Sequence, residues 1–389
     1  MIKVAFFLDF PLSYNGGINY YWNVLYAIRK HNSNNVETYL FIPKETPKYL
    51  LDRFSSVTNI ISTNIVKRKS FLWYCSIISN IFLKHDLLRH HILKKININI
   101  VFNCYNFFHV GNVIKTINWI PDFQSIHYPN FYTKSQLKSE RKILIKCLKN
   151  SNKIILSSLN SYNDLKYAHK EFLSKSEVVN FVSQSGILTN GFQKNSSDFK
   201  YEENTFFYLP NQFWNHKNHI VVFRALKILL SKNIFIKVVT TGSDQDFRGE
   251  NSLFNSLKSY IEKNQLSEYV DFLGTVSYDQ VLSLMTSSLA VINPSYFEGW
   301  SSTVEESKSI NQSIILSDIP VHREQNPENG FYFNPDDEQG LSEIMESLIN
   351  KKPVNNLSEK ILKKKLNERT IFFSDQLTKC FKQLHDEKN

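Results

Sequence analysis

The chain has 389 residues, 42% of them hydrophobic and 21% charged. That is enough apolar surface for two domains of about 200 residues each, and it excludes wholesale disorder. Only 11 Gly and 11 Pro are present, and the four cysteines (Cys75, Cys104, Cys147, Cys380) form no CxxC pair. This argues against collagen-like or linker architectures, a disulfide framework and a zinc knuckle, and for a reducing compartment. The net charge of +10 is one-sided: residues 1–190 hold 24 Lys+Arg against 10 Asp+Glu, whereas residues 191–389 hold 22 against 26. An anionic partner is therefore expected on the N-terminal side, be it lipid, nucleic acid or a phosphorylated small molecule.

In chain order, Met1–Leu8 enters an apolar strand without the basic region or cleavage site of a secretory signal. Short β-branched runs predict strands at Lys3–Leu8, Glu37–Ile42, Asn97–Asn103, Thr116–Ile120, Lys153–Ser157 and Val178–Val182. Amphipathic stretches predict helices at Ile18–Lys30, Phe71–Lys95, Lys134–Asn150 and Leu159–His169. The longest apolar run, Phe71–Leu83, has 13 residues and is too short for a bilayer, which takes ~20. After the polar stretch Gln193–Asn204 a second series begins. Its strands are expected at Phe206–Leu209, Phe235–Thr240, Val270–Leu273, Leu289–Ile292, Ser313–Leu316 and Gly330–Phe333. Its helices are expected at His219–Leu230, Asn251–Lys263, Ser277–Thr286, Thr303–Ile310 and Gln339–Ile349, before a closing helix at Leu357–His385.

Strands alternating with helices mean βαβ units and parallel sheets. The expected fold is α/β, with two Rossmann-like doubly wound domains facing a cleft. Residues 1–192 are expected to form the first and 193–356 the second, followed by the helical stretch 357–389. Ligands of open α/β sheets bind at the carboxyl ends of the strands.

Absent motifs narrow the chemistry. No strand is followed by GxGxxG, and there is no GxxxxGK[ST], GxSxG or HExxH, so nicotinamide-dependent redox enzymes, P-loop NTPases, α/β-hydrolases and zincins are disfavoured. The His216–His219 run, HKNH, has no metal-ligand partners in sequence. The most informative segment is Asn293–Ile310, NPSYFEGWSSTVEESKSI. A strand ends there, a Pro-Ser turn follows, and a helix is expected to start near Thr303. Ser302 and Glu305 have capping-box spacing, while Glu298 and Glu306 place two carboxylates about one strand-to-helix junction. Free helix-start N–H groups bind phosphate, and a carboxylate can accept from both hydroxyls of a ribose, which suits a nucleoside diphosphate. The plainer reading is that Glu298 caps a turn and Glu305 and Glu306 favour the helix dipole.

The run Glu298–Glu306, EGWSSTVEE, resembles the E-x7-E motif of retaining glycosyltransferases of the GT-B fold, family 4. Asn15-Gly16-Gly17 is similar to the family's glycine-rich loop, Trp119–Tyr128 to the segment bringing a histidine or aspartate to the cleft, and Tyr208–His219 to the opening of the second domain with its phosphate-binding lysine. Phe272–Val276 and Ser317–Pro320 fit further family positions. The likeness spans nearly the whole chain, is strongest over residues 205–335, and implies that the closing stretch, 357–389, crosses back to the first domain. It implies a nucleotide-sugar donor held mainly by the second domain and a glycan or polyprenyl-diphosphate-linked acceptor by the first. Glu306 would hold the ribose, and Ser302, Thr303 and Val304 would meet the diphosphate. Lys217 would stabilise the departing phosphate, Gly16 and Gly17 would admit the ligand closely, and Glu298, with Gly299 and Trp300, would lie by the donor sugar. Gln212, Gly242, Thr275 and Val276 complete the donor-binding set, and His127 and Asp122 join Glu298 and Lys217 as catalytic candidates. The implied reaction departs and attacks on one face of the sugar, without metal or cofactor, on GDP-mannose or a UDP-hexose. Two departures stand out. Gln212 occupies the family's arginine position, leaving charge compensation to Lys217, helix dipoles, His216 or Arg224. Pro121-Asp122 replaces the usual His-Asp, with His127 five residues on.

Asp244-Gln-Asp246 is a D-x-D, the metal–nucleotide signature of the other glycosyltransferase fold, and reads here as a solvated loop. Lys67-Arg-Lys69 before the apolar run, and Lys84, Arg89, Lys94 and Lys95 after it, suit a helix lying on anionic lipid. The alternative packs Trp73, Ile77, Ile81 and Leu88 into the core. The resulting expectation is a cytoplasmic enzyme of bacterial surface-glycan synthesis (O-antigen or capsule), with the inner face of the cell membrane as a place of attachment. The alternatives are a GT-B transferase for a soluble sugar, a nucleic-acid-binding protein, and an inactive nucleotide-sugar-binding module. The basic residues match no nucleic-acid-reading motif, so no nucleic-acid partner is expected.

Overall fold

The computed structural model describes residues 1–12, 14–184, 201–244, 252–351 and 357–387. The chain divides into two compact units. One comprises residues 1–123, 138–182 and 367–389; the other comprises 124–137 and 183–366.

The N-terminal unit carries a seven-stranded sheet: β1 Ile2–Phe7, β2 Val36–Ile42, β3 Asn59–Ser62, β4 Ile100–Cys104, β5 Lys115–Ile120, β6 Lys153–Leu156 and β7 Ser176–Val178. All pairs are parallel, in the order β3-β2-β1-β4-β5-β6-β7. Its helices are α1 Asn15–His31, α2 Lys48–Ser55, α3 Phe71–Phe82, α4 Leu87–Lys95, the short α5 Gln124–His127, α6 Lys134–Asn150 and α7 Leu159–His169. The period of two along β1 sends Ala5 and Phe7 to one face, against Phe41, Val101 and Leu93 of α4. Phe6 goes to the other, where its ring meets Tyr21 of α1 at 5.3 Å and Phe102 at 5.0 Å.

The second sheet contains β8 Phe206–Leu209, β9 Lys237–Thr240, β10 Val270–Phe272, β11 Ala290–Asn293, β12 Ile314–Ser317 and β13 Gly330–Phe333. It is again wholly parallel, in the order β10-β9-β8-β11-β12-β13. Helices α8 His219–Ser231, α9 Ser252–Lys263, α10 Tyr278–Ser287, α11 Ser302–Ile310, α12 Pro320–Gln325 and α13 Glu338–Asn350 cover it, and α14 Glu359–Asp386 closes the chain. All four residues of β8 are buried. Phe207 and Leu209 pack with Val222 and Leu226 of α8 and with Leu341 and Met345 of α13. Phe206 and Tyr208 pack with Met285 of α10 and Val304 of α11. A strand apolar on both sides is what a sheet covered on both faces requires, and each buried aromatic stabilises it by ~1.5–3 kcal/mol. From residue 367 on, α14 belongs to the N-terminal unit: Ser374 Oγ and Asp375 Oδ1 each accept from Asn32 Nδ2 at 2.9 Å.

Most elements fall within a residue or two of their expected places, and the main differences are these. The single helix expected over Phe71–Lys95 is two, because Lys84 turns left-handed (φ 49°) and Asp86 restarts the helix by accepting from the Arg89 N–H. Strand β3 and helices α2 and α12 were not expected. The four residues of β3 form an edge strand without full burial, and α2 and α12 have eight and six residues, too few for a periodic signal. The strand expected at Val178–Val182 ends at Val178.

Candidate functional site

In the C-terminal unit every strand is parallel, so the loops after β8, β9, β10, β11 and β12 emerge on one edge of the sheet. These loops, with the turns that follow them, carry Gln212 and Lys217, Gly242, Thr275 and Val276, and Glu298 with Gly299 and Trp300.

After β8 the chain makes one tight turn, Asn215–Lys217, and reaches Asn218 at φ 50°, ψ 41°. Asparagine tolerates this left-handed conformation better than most residues. The Asn218 amide donates to the carbonyls of Pro294 (3.2 Å) and Pro335 (2.8 Å), and the Tyr296 N–H donates to the His216 carbonyl at 2.8 Å. These bonds tie the turn to the loop after β11. As a result Lys217 Nζ donates to Glu298 Oε1 at 2.6 Å, with side chains only 15% and 10% exposed. Ser295 Oγ donates to the same oxygen at 2.7 Å.

Burial alone would raise the Glu298 carboxyl. The Lys217 ammonium and the bonds from Lys217 and Ser295 outweigh it and hold the group below the usual carboxylate range. His322 lies fully buried on α12, its Nδ1 2.9 Å from the Ser317 carbonyl. Burial pushes it down to about 4, with Glu298 pulling the other way. Burial likewise pushes His219, at the start of α8, down to about 3. Both are neutral at pH 7, so Lys217 is the cation that faces Glu298.

Helix α11 begins beside this pair. Its cap is Ser301, not Ser302: Ser301 is extended (φ −78°, ψ 117°) and its Oγ accepts from the Val304 N–H. The hydroxyl is fixed by Asn293 Nδ2 at 2.7 Å, and the Ser301 N–H donates to Gln325 Oε1 at 3.1 Å. The helix therefore starts one residue earlier than expected, and the Ser302–Glu305 capping box is not formed. Glu305 instead accepts from Lys308 Nζ (3.2 Å) and Gln325 Nε2 (3.1 Å). Glu306, one step round the helix and 6% exposed, accepts from the Tyr278 hydroxyl at 3.1 Å. Thr303 and Val304 are buried in the first turn, where N–H groups lack intrahelical acceptors; the Val304 N–H is the one held by the Ser301 cap, so of these two only that of Thr303 is left outside the cap.

The loop after β9 packs tightly on that after β8. Gly242 has φ +143°, and a Cβ there would come within 2.5 Å of the Asn211 carbonyl oxygen and 2.9 Å of Gln212 Cα. Its N–H donates to the Gly274 carbonyl at 2.9 Å. Thr275 is exposed and Val276 half-buried just beyond.

The remaining candidates stand elsewhere. Gly16 and Gly17 form the first turn of α1, and the Tyr14 ring fills the space where a Gly17 side chain would be, 2.6 Å from its would-be Cβ. Asp122 follows β5 in the N-terminal unit. His127 ends α5, in the segment grouped with the C-terminal unit, where its exposed ring lies 5.3 Å from Phe297. Arg224 is exposed on α8. Asp246 lies outside the described residues. Among the described residues no group of three His, Cys, Asp or Glu could hold a metal ion. Sequence reasoning missed Ser295, Asn218, His322, Tyr278 and Ser301. The polar residues spaced through Asn293–Ser302 are the one signal that pointed toward two of them.

Residues 191–373 match the family model described as Glycosyl transferases group 1. The O-antigen chain mannosyltransferase RfbU of Salmonella typhimurium is 26% identical over 231 residues. That match covers 59% of this chain and 59% of the relative's length. Among solved structures, Anabaena HepE in complex with UDP and glucose superposes with a TM-score of 0.69 at 14% identity, covering 97% of this chain and 99% of that one. Sucrose-phosphate synthase from Thermosynechococcus elongatus superposes at 0.67 with 12% identity, covering 99% of each chain. The fold is thus that of the two-domain GT-B glycosyltransferases.

Proposed function

We propose that the protein is a retaining glycosyltransferase of family 4 that moves a hexosyl group from a nucleotide-sugar to a glycan or lipid-linked acceptor in bacterial surface-polysaccharide synthesis. The observation carrying this is the buried 2.6 Å pair of Lys217 and Glu298 beside the start of α11, within the segment that matches group 1 glycosyltransferases. The O-antigen relative and the UDP-bound structural neighbour favour the same reading.

The roles follow from charge. The donor diphosphate meets the first-turn N–H groups of α11, which carry the positive end of the helix dipole. Glu306 takes the ribose hydroxyls, and Glu298 orients the donor sugar. As the bond from the anomeric carbon to the phosphate oxygen breaks, negative charge grows on the leaving nucleoside diphosphate and Lys217 stabilises it. The acceptor hydroxyl attacks the face just vacated, and its proton passes to the leaving phosphate oxygen. The acceptor is assigned to the N-terminal unit, with Asp122 as its polar candidate. Since Lys217 and α11 supply the positive charge, turnover is expected to survive EDTA.

The test is a thermal-shift screen of the full chain with GDP, UDP, dTDP and CMP, followed by transfer from the matching nucleotide-sugar. Specific binding stabilises by ~2.7 kcal/mol at a hundredfold excess over Kd, so one nucleotide should stand out; GDP is the first candidate, after the mannosyltransferase relative. No shift with any nucleotide, or a product of inverted anomeric configuration, refutes the reading.

A further inference from the structure

Helix α3 contains no charged residue, and six of its large apolar side chains are exposed: Leu72 only to 38%, and five by half or more, namely Phe71 (80%), Tyr74 (50%), Ile78 (53%), Ile81 (65%) and Phe82 (80%). At 100° per residue these five fall on one stripe of about 100°. Leu83 and Leu87, which follow the helix in the chain, are both at least half exposed as well. The inner side is pinned. Buried Ser76 donates to Asp86, which also accepts from Arg89, and Arg89 reaches Asp9 at 3.2 Å. Core packing of Ile81 is thereby excluded, while Trp73, Ile77 and Leu88 are half-buried.

A patch of this kind needs a cover, and its surroundings say which. Residues 67–95 contain Lys67, Arg68, Lys69, Lys84, Arg89, Lys94 and Lys95. Their one carboxylate, Asp86, is buried and paired. Arg68, Lys69, Lys84, Lys94 and Lys95 are exposed. A second copy of the chain would bring this basic border against its own like. An anionic bilayer surface answers both features, taking the apolar stripe into the acyl boundary and the basic border among its headgroups.

We propose that the face formed by α3 and the following Leu83–Leu87 turn docks the protein on anionic phospholipid, peripherally, since no helix among the described residues is long and apolar enough to cross a membrane. The proposal is independent of the transfer reading and needs no nucleotide to test.

The experiment is co-sedimentation of the full chain with vesicles of phosphatidylcholine alone or with phosphatidylglycerol at 30 mol%, at about 0.1 and 0.5 M salt. Binding to the anionic vesicles is expected to fall with salt, and to drop at least tenfold in Ile78→Asp/Phe82→Asp, whose exposed positions leave the melting temperature unchanged. Lys69→Gln/Lys84→Gln should lose roughly fivefold per lysine, giving an arm that leaves the apolar stripe intact. Failure of the wild type to bind, equal binding to both vesicles, or undiminished binding by Ile78→Asp/Phe82→Asp overturns the proposal. A dimer in analytical ultracentrifugation that the same double variant splits, without vesicle binding, also overturns it, in favour of a second copy on this face.

Discussion

Removing Lys217 isolates what the buried pair contributes. In Lys217→Ala the Glu298 carboxylate keeps its bond from Ser295 but loses the ammonium 2.6 Å away. Breaking a buried ion pair from one side costs ~3–5 kcal/mol, because the surviving charge stays desolvated; the Ser295 bond puts the expectation at the lower end, about 3 kcal/mol. For a unit of this size that lowers Tm by roughly 6–12 °C. Adding Glu298→Gln removes the stranded charge, so the double variant should return to within about 1.5 kcal/mol of wild type. Turnover should not return, since the charge on the leaving group is no longer met. pH gives an independent sign. The wild-type Glu298 carboxyl is depressed, so its stabilisation is complete above the unfolded value near ~4.3 and is lost as pH falls through the folded one. In Lys217→Ala burial outweighs the remaining Ser295 bond and raises the carboxyl, so the penalty is greatest at neutral pH and shrinks on acidification. Urea denaturation of the three proteins between pH 7 and pH 5 should therefore show the gap between wild type and Lys217→Ala narrowing. A gap independent of pH, or a double variant as unstable as the single one, would refute the electrostatic account.

Ser301→Ala should cost about 1 kcal/mol or more as a lost helix cap that also strands the Asn293 amide, whereas Ser302→Ala should stay within ~0.5 kcal/mol; chemical denaturation ranks them. Gly242→Ala, forced into a positive φ with a Cβ 2.5 Å from a carbonyl oxygen, should destabilise by more than ~1 kcal/mol and weaken nucleotide binding; an unchanged affinity would remove that loop from the donor site. Glu306→Ala should abolish most of the nucleotide-induced thermal shift, with Tyr278→Phe having a smaller effect; an unchanged shift in Glu306→Ala refutes the ribose assignment. Glu298→Gln alone should bind the free nucleoside diphosphate roughly tenfold more tightly by titration calorimetry, one tenfold step being about 1.4 kcal/mol, while losing transfer activity; weaker binding would contradict a Lys217 ammonium shared between Glu298 and the phosphate.

The doubly wound class was legible because β8, β11 and β12 are short runs of buried apolar residues between amphipathic helices, and both signals are local. The Glu298 and Glu306 positions were legible because a strand end, a turn and a helix start fall within one 18-residue segment. What brings Lys217 to Glu298 was not. It depends on the left-handed Asn218 and its bonds to Pro294 and Pro335, 76 and 117 residues away, and no periodicity encodes a contact at that range. The helix start was misplaced by one residue because Ser301 and Ser302 are both competent caps. The bonds Ser301 makes to Asn293 and Gln325, which belong to neighbouring elements, decide between them. The break in the helix after Phe82 was hidden for a similar reason, since Asp86 reads as an ordinary helical residue until Ser76 and Arg89 are seen to hold it.

The missing arginine at Gln212 sharpens the question of what offsets the diphosphate. His219 and His322 are neutral at pH 7, and Arg224 is exposed on α8. The cation bonded to Glu298 is Lys217, and the start of α11 adds partial positive charge beside it. Lys217 is answered by Glu298, so the pair is neutral, and on the proposed reading a donor would share the lysine with a carboxylate. That costs ground-state affinity. It also leaves the lysine able to strengthen its hold on the phosphate as the leaving group gains charge, which is the direction that favours the transition state over the bound substrate. Neutralising Glu298 alone should reverse the trade: the nucleotide product gains the whole ammonium, and the sugar loses the carboxylate that orients it.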